Sequence, residues 1–503
     1  MKRLLPALLL LNGVLAVGQS YKEPYRPQYH FSPQAHWTND PNGLVFFEGE
    51  YHLFFQYNPF GDVWGHMSWG HAVSTDLVHW KELPVALPEE NGVMIFTGST
   101  VIDSANTSGF CLNKKACMVA VYTGHTPKTA SKPALQTQNL AFSNDRGRTW
   151  TKYSNNPVLN LSMSDFRDPG VFWSEQSKRW MMAVSLPDDH KVVFYASPDL
   201  KRWDRVSEFG PAGATSGQWE CPSLFQLPVD GDVSKSRWVL KVGLNPGGLQ
   251  GGSGEQYFIG KFDGTRFIND NPPALSLWSD YGKDCYCALT FNNLPASKPP
   301  VMLGWMSNWQ YAANLPTHPW RGQMTIPREL SLNTFSEGIR LVQKPLASLT
   351  SLRDKHTVAT GPAMPLAGRS FTLFAAMDPK GAGQSGWKLF SKNGAYTVIG
   401  YDAARKEIFM DRTHSGDVAF NKDFPARTAA PFEHTQGPIT FDILVDRNSI
   451  EVFAGGRVTI TNLIFAPDAD RLVFFSEGGT ALKAANAAKF LKAETWSLRS
   501  IWP

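Results

Sequence analysis

Three carboxylates stand in short motifs where proline follows closely: Asp40 in "HWTNDPNGL", Asp168 in "FRDPG" and Glu220 in "QWECPS". Proline ends or bends regular backbone, so each acid sits where the chain changes direction. Alone, Asp-Pro-Asn-Gly reads as a tight turn, because Pro41 presets φ and Gly43 accepts φ > 0. Three such acids in tryptophan-rich surroundings suggest chemistry as well. Cleaving a glycosidic bond with retention takes a carboxylate nucleophile and a carboxylic acid proton donor roughly 5 to 5.5 Å apart. A third carboxylate would bond sugar hydroxyls and favour an oxocarbenium-like transition state.

Other chemistries find less support. His66, His71 and His79 lack metal-ligand spacing and read as core or hydrogen-bonding residues. The loop "LNPGGLQGGSG" has no Lys-Ser/Thr ending and no following helix, so it is not a phosphate cradle but a flexible loop at a rim. Of five cysteines, Cys111 and Cys117 are spaced to bridge a loop. Cys221, Cys285 and Cys287 read as small buried hydrophobes rather than metal ligands. No metal or cofactor is called for. A net charge of +4 on 503 residues, with no basic block, argues against nucleic acid or an acidic membrane surface and for a neutral partner.

The elements that must carry the acids are strands. "LVFFEGEYHLFFQYNP", "MVAVYTGHTP" and "RWVLKVGLNPGG" are short aromatic and β-branched runs closed by Gly, Pro and Asn. Helical periodicity is nearly absent before "ALKAANAAKFLKAETW", which reads as a loop or one short helix before a last strand. A weak repeat of Ser, Asp and Trp recurs in "STDLVHW", "SNDRGRTW" and "SPDLKRW", one element per blade of a β-propeller. Asp76, Asp145 and Asp199 would then close their own turns. Beyond residues 345–365, evenly spaced alternating runs such as "SFTLFAAM" and "ITFDILVD" suggest a β-sandwich. The N-terminus, Lys2-Arg3 followed by an interrupted apolar run to Ala16-Val17-Gly18, reads as a secretory signal peptide.

Together these motifs resemble glycoside hydrolase family 32, the β-fructofuranosidases that include invertases, exo-inulinases and levanases. "HWTNDPNGL" resembles the family's nucleophile motif, "FRDP" its transition-state-stabiliser motif and "WECP" its acid/base motif, in the family's order. "FFQYNP", "WGHMSWGHAVSTDLVHW", "FTGS" and "GWMSNWQY" match further family segments, and the likeness spans nearly all of the chain after the leader. The resemblance implies an all-β fold, a five-bladed β-propeller followed by a C-terminal β-sandwich. The corresponding division is 1–19 leader, 20–345 propeller, 346–365 linker and 366–503 sandwich.

It also implies roles. Asp40 would attack the anomeric carbon of a fructosyl unit, Glu220 would protonate the leaving oxygen and then activate water, and Asp168 would hold fructose hydroxyls. Asn39, Gln56, Trp64, Phe96, Ser99, Arg167, Tyr286 and Trp305 would line the surrounding pocket. Where many relatives read Asp-Phe-Tyr-Ala, this chain has Asp284-Cys285-Tyr286-Cys287, two cysteines that alter local packing. The expected activity is a secreted, extracellular or periplasmic, retaining exo-β-fructosidase acting on sucrose, inulin and levan. Fructosyl transfer from sucrose would use the same acids, and a non-catalytic fructan-binding protein would be expected to have lost one of them.

Overall fold

The computed structural model describes residues 21–380, 383–477 and 487–503. The leader and most of "ALKAANAA" lie outside the described residues. The first propeller sheet runs outward through His36–Phe47, Glu50–Asn58, Ser68–Ser74 and Lys81–Leu87. The second comprises Met94–Asp103, Cys117–Thr126, Leu135–Ser143 and two short strands, and the third Arg167–Ser174, Arg179–Leu186, Lys191–Ser197 and Asp204–Phe209.

The fourth and fifth are joined into one sheet by a single residue pair, Val229 with Leu332. They begin at Gln218–Val229 and Tyr286–Thr290, and the fifth ends at Gly338–Pro345. The first strand of each blade packs against its counterparts in the two neighbouring blades, closing a ring.

Five separate apolar clusters fill the five seams between consecutive blades, which fixes the blade number physically. On the axis, Asn292 binds four blades together. Its backbone pairs with Leu44 and Phe46, and its amide donates to Thr100 O at 2.9 Å and Val171 O at 3.0 Å. The three Ser-Asp-Trp segments are turns closed by their own aspartates: Asp76 accepts from Val78 and His79, Asp145 from Thr149, and Asp199 from Lys201 and Arg202.

Two six-stranded antiparallel sheets around one apolar core form the β-sandwich. Residues read from sequence as a linker contribute to it. Arg353–Val358 pairs with Lys489–Leu498, and Ala363–Gly368 with Ala469–Ser476, after a short 3-10 turn at Ala347–Leu352. Between propeller and sandwich lies a fully buried ionic network. Arg328 donates through Nε to Glu451 at 3.0 Å and through Nη1 to Asp280 at 3.0 Å, and His30 bridges Asp446 and Glu451 at 2.8 Å each.

Two sequence readings are corrected. "HWTNDPNGL" is not a turn: it lies within one continuous strand, His36–Phe47, whose register slips between Thr38 and Pro41 and again between Asn42 and Val45. Pro41 is accommodated because an irregular position does not require its missing N–H. Cys221 and Cys287 are not free hydrophobes but a disulfide, with Cα atoms 5.4 Å apart. They are 66 residues apart, and the packing of blade five on blade four brings their inner strands together. Cys111 and Cys117 form the other disulfide, and Cys285 is a free buried thiol.

Candidate active site

The inner strand of every blade breaks register near its start: Thr38 to Pro41, Ile95 to Gly98, Arg167 to Gly170, Glu220 to Ser223 and Tyr286 to Leu289. A regular strand sends alternate side chains to opposite faces, whereas a bulge re-aims them. The stretches released are Asn39-Asp40, Phe96-Thr97, Asp168-Pro169, Cys221-Pro222 and Cys287-Ala288. Asp168, Cys221 and Cys287 hold positive φ of 67°, 51° and 44°. Non-glycine residues in that region cost energy that the surrounding fold must offset. Ring closure brings the five irregularities to one end of the axis.

There, Asn39, Asp40, Gln56, Trp64, Phe96, Thr97, His125, Gln136, Asp165, Arg167, Asp168, Glu220, Asn245 and Trp309 line a pocket of about 370 Å³. All three sequence-identified carboxylates reach it. Asp40 is 8% exposed and Asp168 5%. Thr97 Oγ1 donates to Asp40 Oδ2 at 2.8 Å, while Asp40 Oδ1 has no partner of ordinary hydrogen-bond geometry among the described residues. Asp168 Oδ2 accepts from the Cys221 backbone N–H at 2.9 Å. Glu220 is held from two sides: Arg167 Nε donates to Oε1 at 3.0 Å, and the Tyr286 hydroxyl donates to Oε2. Arg167 also donates to Asp165 at 2.7 Å and to Gln218 at 2.7 Å.

The electrostatics follow from crowding acids in a dry site. Burial first, then repulsion from Asp168 and Glu220, pushes Asp40 up to about 7. Burial also pushes Asp168 up to about 7, with Glu220 adding to the rise and Arg167 opposing it. Arg167 itself, although burial works against its charge, is held more firmly protonated by Glu220 and Asp168. Asp40 and Asp168 therefore retain protons well above the ordinary carboxylate range.

Asn39, Gln56, Trp64, Phe96 and Arg167 lie in the pocket wall as the sequence suggested. Ser99, Tyr286 and Trp305 do not. Ser99 Oγ faces the axis, donating to Pro169 O at 2.8 Å and accepting from Val171 N at 2.9 Å. Tyr286 and Trp305 are buried behind the wall, at 1% and 0% exposure. Trp305 packs on Trp37 and Trp309, and it is Trp309 that reaches the surface.

The sequence reading missed Thr97, His125, Gln136, Asp165, Asn245 and Trp309. Thr97, Asp165 and Trp309 lie within or beside the family motifs, Asn245 opens the loop read as a rim and His125 ends a quoted strand segment; nothing local distinguishes Gln136. The histidines singled out from sequence do other work: His66 meets Glu89 at 2.7 Å, His71 meets His52 at 3.1 Å and His79 meets Asp76 at 2.7 Å.

Residues 30–345 match the model of the glycosyl hydrolases family 32 N-terminal domain, and residues 340–497 that of the family 32 C-terminal domain. The whole chain is 44% identical to a levanase of Bacillus subtilis, over 76% of that protein. It is 41% identical to an extracellular exo-inulinase of Aspergillus niger over the full length of both. The solved exo-inulinase of Aspergillus awamori superposes with a TM-score of 0.90 at 40% identity, over 96% of this chain and 100% of that one. A β-fructofuranosidase of Schwanniomyces occidentalis complexed with fructosyl-erythritol superposes with a TM-score of 0.85 at 32% identity, over 95% and 98%.

Proposed function

Because the chain belongs to glycosyl hydrolases family 32, we propose that it is a secreted, retaining exo-β-fructosidase that removes terminal fructofuranosyl units from inulin, levan and sucrose. The observation that carries this reading is the convergence of Asp40, Asp168 and Glu220 in one pocket where the irregular inner strands meet. The full-length likeness to proteins named exo-inulinases supports exo attack. The names of the extracellular relatives and the sequence of the leader support export. No helix among the described residues is long and apolar enough to cross a membrane.

In this reading Asp40 Oδ1, the oxygen without a partner, attacks the fructosyl C2. Glu220 passes its proton to the glycosidic oxygen as that bond breaks. Glu220 then takes a proton from water, which opens the fructosyl ester and regenerates Asp40. Asp168, fixed by the Cys221 amide, accepts hydrogen bonds from fructose hydroxyls and stabilises the cationic transition state. Arg167 and Tyr286 orient Glu220. Hydroxyl donors from the substrate stabilise the charges of Asp40 and Asp168, which burial otherwise disfavours. The catalytic unit spans residues 20–345, and the sandwich supports it through the buried ionic network.

Two measurements test the reading together. Magnetic resonance of the first-formed product should show β-fructofuranose before mutarotation, and free fructose should precede any oligosaccharide during inulin and levan digestion. Inversion at the anomeric carbon would overturn the nucleophile, and early oligosaccharides would overturn exo attack.

A further inference from the structure

The disulfide absent from the sequence reading lies directly beneath the candidate nucleophile. Cys221 follows Glu220 and Cys287 follows Tyr286, so the bond staples two of the five bulges together, behind the hydroxyl that holds Glu220. Cys221 Sγ is 3.8 Å from Asp40 Oδ2; as a disulfide sulfur it carries no proton and donates nothing. One ligand atom from each of Asp40, Cys221 and Cys287 falls within 4.8 Å of the other two, and all three residues are buried. Cys285, the remaining thiol, lies toward Arg328 and outside this group.

Three such atoms are a ligand set for a soft cation. Thiolates prefer thiophilic metals, and a carboxylate can complete the coordination at comparable distances. While the sulfurs are bonded to each other they cannot ligate. A tetrahedral ion with metal–sulfur bonds of roughly 2.3 Å needs the sulfurs roughly 3.7 Å apart, within reach of side-chain rotation about Cα atoms 5.4 Å apart.

We propose that Cys221 and Cys287, once reduced, join Asp40 in a site for one thiophilic divalent cation, and that the disulfide masks this site in the exported enzyme. A dithiol breaks the S–S bond, supplying two electrons and two protons and leaving as its own cyclic disulfide. The two thiols release those protons to solvent as the cation binds. The bound ion occupies Asp40 and stops hydrolysis. The oxidising setting outside the cell keeps the bond closed, and the nucleophile is thereby protected from metal poisoning. Loss of activity on metal binding rests on the nucleophile reading; metal binding itself does not.

The test uses the full-length enzyme, oxidised or reduced with dithiothreitol and verified by thiol count, then titrated with cadmium chloride in thiol-free anaerobic buffer. Reduced enzyme should bind one cadmium at this pair, with the ultraviolet absorption of two thiolate bonds. Its inhibition midpoint should be at least roughly a hundredfold lower than that of oxidised enzyme. Chelator should restore activity, and fructose should compete with the ion. Cys287→Ala, with Cys287→Ser as a second variant, should lose this sensitivity while retaining the Cys111–Cys117 pair. Equal cadmium sensitivity of oxidised and reduced enzyme would overturn the proposal, as would reduced wild type that binds no more cadmium than the variants. Cadmium on both thiolates with hydrolysis intact would remove Asp40 from the ligand set, whereas the catalytic reading is tested separately by Asp40→Asn without metal.

Discussion

Two regions of this molecule bury charge to the same depth and treat it in opposite ways. At the propeller–sandwich boundary every buried acid meets a cation. Arg328 binds Glu451 and Asp280, Arg412 binds Asp284 and His30 spans Asp446 and Glu451. Although burial works against them, Asp446 is held below its usual range chiefly by His30, and Glu451 chiefly by Arg328. In the pocket, Arg167 serves Asp165, Asp168 and Glu220, and Asp40 and Asp168 are driven up instead. Structural charge is neutralised by its neighbours, whereas the pocket leaves charge for a ligand to satisfy. The fold tolerates that frustration because apolar clusters fill every seam between the blades that carry it.

Removing one acid should therefore have opposite effects on function and stability in the pocket. Asp40→Asn is expected to lower kcat for sucrose and inulin roughly 10⁴-fold or more, since the covalent intermediate cannot form. The same change should stabilise the fold. The folded-state pKa of Asp40 lies above its unfolded value, so the favourable contribution is complete below about 4 and is lost as pH rises through about 7. Above pH 7 the variant should outlast wild type thermally, by an amount corresponding to at most about 4 kcal/mol, and below pH 4 the difference should vanish. Activity retained at near wild-type rate would sink the nucleophile assignment, and a variant less stable at pH 8 would sink the contrast between the regions.

At the boundary the signs reverse. Arg328→Met strands Glu451 and Asp280 without their cation and should cost about 3 to 5 kcal/mol in urea denaturation. The fraction that remains folded should keep wild-type KM, because no residue of the network lines the pocket. A raised KM with unchanged stability would show that the network serves the pocket and not the junction.

How far the sequence revealed this contrast depends on range. Each acid was visible because proline marks its bulge, yet the same proline suggested a turn at Asp40, since a bulged strand and a turn use the same residues. The propeller was visible through its Ser-Asp-Trp turns, which are local. What could not be read depends on packing beyond the local segment: the Cys221–Cys287 bond between blades four and five, the exchange of Trp305 for Trp309 at the wall, and the meeting of His125 and Gln136, cross-strand partners in the second blade, with Asn245 of the fourth. The boundary network was hidden for the same reason, as His30 and Glu451 are joined across 421 residues. Alternation predicts facing only while register holds, and the site is built where register breaks.

The pH window of the boundary separates it from that of the pocket. Burial opposes the charge of His30, but Asp446 and Glu451 together raise it to about 9. A folded pKa above the unfolded 6.5 means that this stabilisation is complete below about 6.5 and is lost as pH climbs through 9. Wild type should lose about 3 kcal/mol across that window, and His30→Gln should flatten it while leaving the acid-side behaviour of Asp40 intact. Thermal unfolding of both proteins from pH 5 to 10 measures this directly. A parallel decline in both would place the titrating group elsewhere.

The smallest expected effect tests whether the pocket's frustration is graded. Thr97→Val keeps shape but removes the 2.8 Å hydrogen bond that the Thr97 hydroxyl donates to Asp40 Oδ2. A hydrogen bond to a charged acceptor is worth about 1.5 to 3 kcal/mol, and the hydroxyl favours the ionised form that attacks. kcat/KM for sucrose should fall between roughly tenfold and a hundredfold, with the acid limb of its pH profile moving to higher pH. Stability at low pH should be unchanged, because protonated Asp40 can forgo that donor. If kcat/KM falls with no movement of the acid limb, Thr97 shapes the pocket rather than supporting the charge of Asp40. Asp40 would then owe its state to burial and to repulsion from Asp168 and Glu220, unlike Asp446, whose neighbours set its charge.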